Sequence, residues 1–174
     1  PFFNRGTDLV NFVSGTFYSR SIVNPVFASK LFSQFNKSRI FLLNAIDENS
    51  PYLVGGEDRS YEGFGGRSFV NILIYQYLLD PKSRLGAFTT NRLYNGGGYG
   101  HSTGLDGLFL FSSNWRFNFE YTKSFNQEPN QDWIDSDAKI YGKTVRLDGD
   151  NLGGYSLYMR LYRNTEHWRS YFYY

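Results

Sequence analysis

Hydrophobic and polar positions alternate with period two along much of the chain. From 115 to 122, Trp115, Phe117, Phe119 and Tyr121 interleave with Arg116, Asn118, Glu120 and Thr122. Residues 154–162 repeat the pattern, with Tyr155, Leu157, Met159 and Leu161 against Ser156, Tyr158, Arg160 and Tyr162. Successive side chains of a strand point to opposite faces, so this is the pattern of strands set between an apolar and a wet environment. A helix would scatter the same residues around its circumference.

Extending the reading predicts paired strands joined by tight turns. Strands 27–35 and 38–46 meet at Asn36-Lys37, and 68–79 and 83–94 meet at Asp80-Pro81-Lys82. Strands 102–112 and 115–125 meet at Ser113-Asn114, and 154–162 and 167–174 meet near 163–166. Asn, Asp, Ser and Pro at these points are turn formers. A further strand is predicted at 16–23. Between the hairpins lie connections 47–67, 95–101 and 126–151, rich in Gly, Asn and Asp. One segment is ambiguous: 68–79 is apolar on both faces, so something must cover its second face.

Short turns alternating with longer loops, around eight or nine strands of about ten residues, form the plan of an outer-membrane barrel. The predicted fold is therefore all-β, an up-and-down antiparallel transmembrane barrel seen in part, with short periplasmic turns and long extracellular loops. It forms a single domain over 1–174. Pro1 falls in mid-motif and Ser170 to Tyr174 read as mid-strand, which predicts a fragment of a longer chain.

Composition sharpens this. Phe (17), Tyr (15) and Trp (3) make 20% of the chain, and Tyr and Trp favour surfaces that are apolar at one end and wet at the other. Trp115 and Trp168 fall beside short turns, while Tyr94, Tyr121 and Phe125 are expected near the opposite rim, as two membrane-interface girdles. The alternative is a soluble β-sandwich core filled with aromatics. Mean hydropathy is −0.46, too low for membrane helices but compatible with a barrel, where every second side chain faces lipid. Cysteine is absent, which removes disulfides and thiolate chemistry. A net charge of +2 gives no argument for nucleic acid.

Short motifs add a resemblance. The opening reads Pro1-Phe2-Phe3, Gly6-Thr7-Asp8-Leu9-Val10-Asn11-Phe12 and Phe17-Tyr18-Ser19-Arg20-Ser21-Ile22. Ala28-Ser29-Lys30-Leu31, Leu42-Leu43-Asn44-Ala45, Ser83-Arg84-Leu85-Gly86, Thr90-Asn91-Arg92 and Gly104-Leu105-Asp106 follow, then the hairpin from Tyr155 to Trp168. In this order they resemble the C-terminal barrel domain of a family of Bacteroidota-type surface proteins of undefined function. In that family the barrel follows a β-sandwich similar to family-9 carbohydrate-binding modules. The family pattern has Glu before the first glycine and a second Arg after Tyr-Ser-Arg, where this chain has Arg5 and Ser21. The resemblance implies an outer-membrane barrel whose sandwich module and remaining strands lie outside this sequence.

Candidate chemistry is sparse. His101 and His167 are the only histidines and neither has a neighbour at metal-ligand spacing. Gly96-Gly97-Gly98 lacks the Gly-Lys-Ser/Thr of a phosphate loop and reads as a flexible loop. Asp148-Gly149-Asp150-Asn151 has some calcium-loop character but no distal Glu, and Asp-Gly is common in turns. Asp106 and Glu120 fall on adjacent strands and could approach each other, as glycosidase carboxylates do. Against that, the basic residues around them suggest a paired lumen network of Arg20, Lys30, Asn44, Arg84, Arg92, Asp106, Arg116, Asn118, Glu120 and Arg160.

No catalytic constellation, cofactor or metal is therefore expected. The first functional expectation is solute or glycan transport, or anchoring of a surface assembly, with the outer-membrane bilayer as main partner and glycans or other surface proteins as further ones. A second is glycan binding by loop aromatics Tyr52, Tyr61, Phe64, Trp133 and Tyr141, set against the plainer reading that they pack the loops on the rim. A third is an outer-membrane hydrolase using Asp106 or Glu120.

Overall fold

The computed structural model describes residues 22–55, 59–134, 136–140 and 142–174. Strands β1 (Pro25–Phe35) and β2 (Ser38–Asp47) precede a small hairpin, β3 (Pro51–Gly55) and β4 (Ser60–Phe64). Then come β5 (Ser68–Leu78), β6 (Arg84–Tyr94), β7 (Tyr99–Leu110) and β8 (Trp115–Gln127). Four two-residue strands follow, β9 (Asn130–Gln131), β10 (Lys139–Ile140), β11 (Lys143–Thr144) and β12 (Leu147–Asp148), before β13 (Asn151–Asn164) and β14 (Arg169–Tyr173). No helix occurs among the described residues.

The eight long strands form one antiparallel sheet in the order β1-β2-β5-β6-β7-β8-β13-β14. Sequence neighbours are therefore sheet neighbours, apart from the two loop insertions. Among the described residues the sheet is open, with β1 and β14 as its edges. The strand expected at 16–23 lies almost wholly outside the described residues.

The tight turns follow local chemistry. Asn36 takes the left-handed conformation (φ 50°) that asparagine tolerates, letting two residues join β1 to β2. At the β5–β6 turn the Asp80 carboxylate accepts from the Lys82 and Ser83 backbone N–H groups, at 2.7 and 2.8 Å. The connection expected over 95–101 is shorter than the sequence suggests. β7 begins at Tyr99, and Gly96, Gly97 and Gly98 all have positive φ (114°, 96° and 84°). Only glycine takes three such angles in succession without strain, so the triplet makes a tight turn between β6 and β7.

Ambiguity at 68–79 resolves by register. Val70, Ile72 and Ile74 of β5 join Ile22, Phe41, Leu43, Ala45 and Phe88 in one buried cluster, against which Ala28 and Phe32 pack. Leu73, Tyr75 and Tyr77 point the other way and are each 41% exposed. The sheet thus has an inner face, buried where β1, β2, β5 and β6 meet, and an outer face that stays exposed and apolar.

Candidate functional site

The inner face changes character across the sheet. From its apolar half at β1–β6, it turns polar toward β7, β8 and β13. Register aligns Gln34, Arg39, Gln76, Gly86, Asp106, Glu120 and Tyr158 in one row across seven strands. The next row toward the short turns holds Leu78, Arg84, Leu108, Asn118, Arg160 and Tyr173. Beyond it stand Leu110, Arg116, Tyr162 and Tyr171.

Asp106, completely buried, is ion-paired to Arg84. At the opposite end Arg92 lies 3.7 Å from Asp47, whose carboxylate also accepts from the backbone N–H groups of Val23 and Asn24. Charges withdrawn from water need such partners. Several buried polar atoms of the same face have no hydrogen-bond partner within the protein: both side-chain amide atoms of Gln76, Asn118 Oδ1, Thr122 Oγ1, and the Nε of Arg116 and Arg160. Each costs about 1–3 kcal/mol if left unsatisfied, so this face is built to meet water or a polar solute.

Of the predicted lumen residues, Lys30, Arg84, Arg92, Asp106, Arg116, Asn118, Glu120 and Arg160 share this face by register. Arg20 lies outside the described residues. Asn44 does not belong with them. Its neighbours Leu43 and Ala45 are the buried ones, so strand alternation turns Asn44 to the outer face. There Asn71 Nδ2 donates to Asn44 Oδ1 (2.6 Å), Asn91 Nδ2 donates to Asn71 Oδ1 (3.5 Å), and His101 Nδ1 meets Asn91 Oδ1 (2.5 Å). Sequence reading missed this amide ladder because its members are scattered over four strands.

Asp106 and Glu120 face each other directly across β7 and β8, the placement that suggested a glycosidase pair. A hydrolytic acid must reach a substrate oxygen. Asp106 instead is fully buried under its Arg84 partner, and Glu120 is 2% exposed. The arrangement is that of a structural ion network. Among the described residues no group of His, Asp and Glu is disposed to hold a metal ion.

The loop aromatics form a second cluster at the long-loop end. Ile134, Val145 and Leu147 are buried there, with Tyr52, Val54, Tyr61, Trp133 and Ala138 packed against them. Tyr94 sits 5.6 Å from Tyr52 and 5.7 Å from Trp133, ring to ring. Burial, then the nearby Glu128 and Tyr94, push the Tyr52 phenol well above its ordinary value. The Trp133 indole also lies over Gly65 and Gly66, and Arg59 stacks on Tyr61 at 4.9 Å. Three of the five predicted glycan-contact aromatics, Tyr52, Tyr61 and Trp133, therefore have ring faces engaged in loop packing. Phe64 is 46% exposed, and Tyr141 lies outside the described residues.

The interface girdle needs two corrections. Tyr94 pairs with buried Ser68 and shares the inner parity of Arg92, so it joins the loop cluster and not an outer belt. Tyr121 faces outward, but at mid-strand, level with Tyr75, Ala87, Leu105 and Leu157. Phe125 lies near the long-loop end of its strand, and Trp115 and Trp168 lie beside short turns.

Outer apolar residues are widely exposed: Phe27, Leu31, Phe35, Phe69, Leu85, Leu93, Leu105, Leu157 and Phe172 among them. The short turns also step obliquely across the sheet. Relative to the row of Ser38, the last paired residue lies one further on at Leu78, three further at Leu110 and five further at Asn164. Set against protein-family models, curated proteins and solved structures, the chain matches none of them.

Proposed function

We propose that this chain is part of a bacterial outer-membrane β-barrel whose polar inner face lines a pathway for solutes. The observation carrying the reading is the outer face, where large apolar side chains stay exposed on seven of the eight sheet strands and Ile40, Leu42 and Ile46 of β2 are half-buried among them. So many large apolar side chains exposed on one face are more than a monomer in water usually leaves uncovered, and lipid is the solvent that suits them.

The stagger of the turns supports the same reading. Five residues over the five steps from β2 to β13, at ~3.3 Å rise and ~4.8 Å between strands, correspond to a lean of about 35° if the turns end at one level. Barrel strands typically tilt by ~35–45°. An 11-residue strand such as β5, so inclined, stands about 30 Å tall, enough for the ~25 Å apolar band of an outer-membrane barrel. In this arrangement the short turns face the periplasm and the packed loops with Trp133 face outward.

Gel mobility with and without boiling tests the proposal on protein folded in detergent. A compact species that shifts on boiling, with β-type circular dichroism beforehand, is the expected result. A protein that stays soluble without detergent and shows no shift would overturn it.

A further inference from the structure

Among the described residues the charges of the inner face do not balance. By register it carries Lys30, Arg39, Arg84, Arg92, Arg116 and Arg160 against Asp47, Asp106 and Glu120. Asp47 and Asp106 are held by Arg92 and Arg84, and Glu120 has a partner of its own. Of the remaining cations, Arg116 and Arg160 stand together at the short-turn end of β8 and β13.

Here Arg116 and Arg160 approach the same ring. Their guanidinium carbons lie 5.3 and 5.0 Å from the centre of Tyr162. Arg160 also stacks over Tyr171 and Tyr173, each at 5.2 Å. Ring faces attract a guanidinium and hold it flat, but they accept no in-plane hydrogen bonds. Both Nε atoms are buried without a partner, and neither arginine meets a carboxylate among the described residues. Two like charges sharing one ring repel each other, and an anion between them removes that penalty. A guanidinium fork matches a tetrahedral or planar oxyanion with two parallel hydrogen bonds.

We propose that Arg116 and Arg160, set in the tyrosine cage of Tyr162, Tyr171 and Tyr173, form a binding site for the oxyanion group of an anionic solute, phosphate, sulfate or carboxylate. Its placement within a lumen rests on the barrel reading. There it makes the periplasmic end of the pathway select for anions, as rings of arginine do in anion pores.

Inorganic phosphate is the probe, titrated into the folded protein in maltoside, a detergent without phosphate, and followed by broadening of the phosphorus-31 resonance. Saturable broadening is expected. Arg116→Gln or Arg160→Gln should weaken it about tenfold each, while Arg160→Lys should retain part of it. Arg163→Gln is the control, because Arg163 lies on the outer face over Trp115. All variants are first checked for the same gel mobility shift as the parent. A heat-modifiable protein that binds no phosphate, or whose two Gln variants bind it as tightly as the parent, overturns the site and leaves the barrel standing. Arginine-dependent binding by a protein that is soluble and unmodified by heat keeps the site and overturns the barrel.

Discussion

The carboxylate of Asp106 lies over Gly86, in the space that a side chain on the neighbouring strand would fill. Glycine at this one point of β6 is what lets the buried acid lie flat and reach Arg84, two residues along the same strand. Substituting Gly86→Val should displace the carboxylate, break the pair and cost about 3 kcal/mol, the usual penalty for disrupting a buried ion pair. Urea titration of the heat-modifiable form would show it; an unchanged midpoint would mean the pair contributes nothing.

Arg84 and Asp106 should behave as a unit. Arg84→Met leaves a fully buried carboxylate without its counter-charge and is expected to destabilise by roughly 3–5 kcal/mol. Adding Asp106→Leu should recover most of that loss, since a matched apolar pair often replaces a buried ion pair at little cost. The double-mutant cycle reads the coupling directly, and additive losses would disprove it.

The outer face separates membrane from water. Leu105 is 51% exposed at mid-strand, where a lysine in a soluble protein would change stability by less than ~0.5 kcal/mol. In a bilayer the same Leu105→Lys substitution should cost about 2–4 kcal/mol, and Gln127→Lys at the rim no more than ~1 kcal/mol. Unfolding from liposomes measures both. Equal, negligible effects would argue for a soluble sheet.

The loop cluster should respond to pH through Glu128. Burial raises its carboxyl above the ordinary range, and the nearby Asp148 and Asp150 push it the same way. A group that holds its proton more tightly when folded favours the folded loop at low pH. That advantage disappears as pH rises through the window between the ordinary and the raised value. Protease resistance of the loops should therefore fall across the mildly acidic range, and Glu128→Gln should flatten the profile and leave the loops more resistant at pH 7. A parent profile that is already flat would contradict this.

Strand positions were legible because alternation is a local signal. Trp115 to Thr122 announces β8 with its two faces assigned, and the observed strand runs on only to Gln127. Faces were legible only where one side was plainly polar. On β2, Ile40 to Ile46 is apolar on both sides, so nothing in the strand says that Asn44 points away from the core. That depends on its pairing with Asn71. Tyr94 and Tyr121 went astray for a related reason, since height and side depend on register across the whole sheet. The polar row through Arg39, Gln76 and Asp106 is equally non-local, and the tyrosine cage around Arg160 needs β14 folded back on β13.

The amide ladder bears on a different problem. A one-residue slip between strands would turn every apolar side chain to the wrong face and is heavily penalised. A two-residue slip keeps inside and outside intact, so alternation by itself is degenerate with respect to it. Asn44, Asn71, Asn91 and His101 break that degeneracy, because their hydrogen bonds close in only one alignment of β2, β5, β6 and β7. Asn91 donates to Asn71 and Asn71 to Asn44, so losing one member would strand its neighbours as unpaired polar groups on an apolar surface. On this reading the ladder acts as a key for correct assembly, telling otherwise interchangeable alignments of these strands apart.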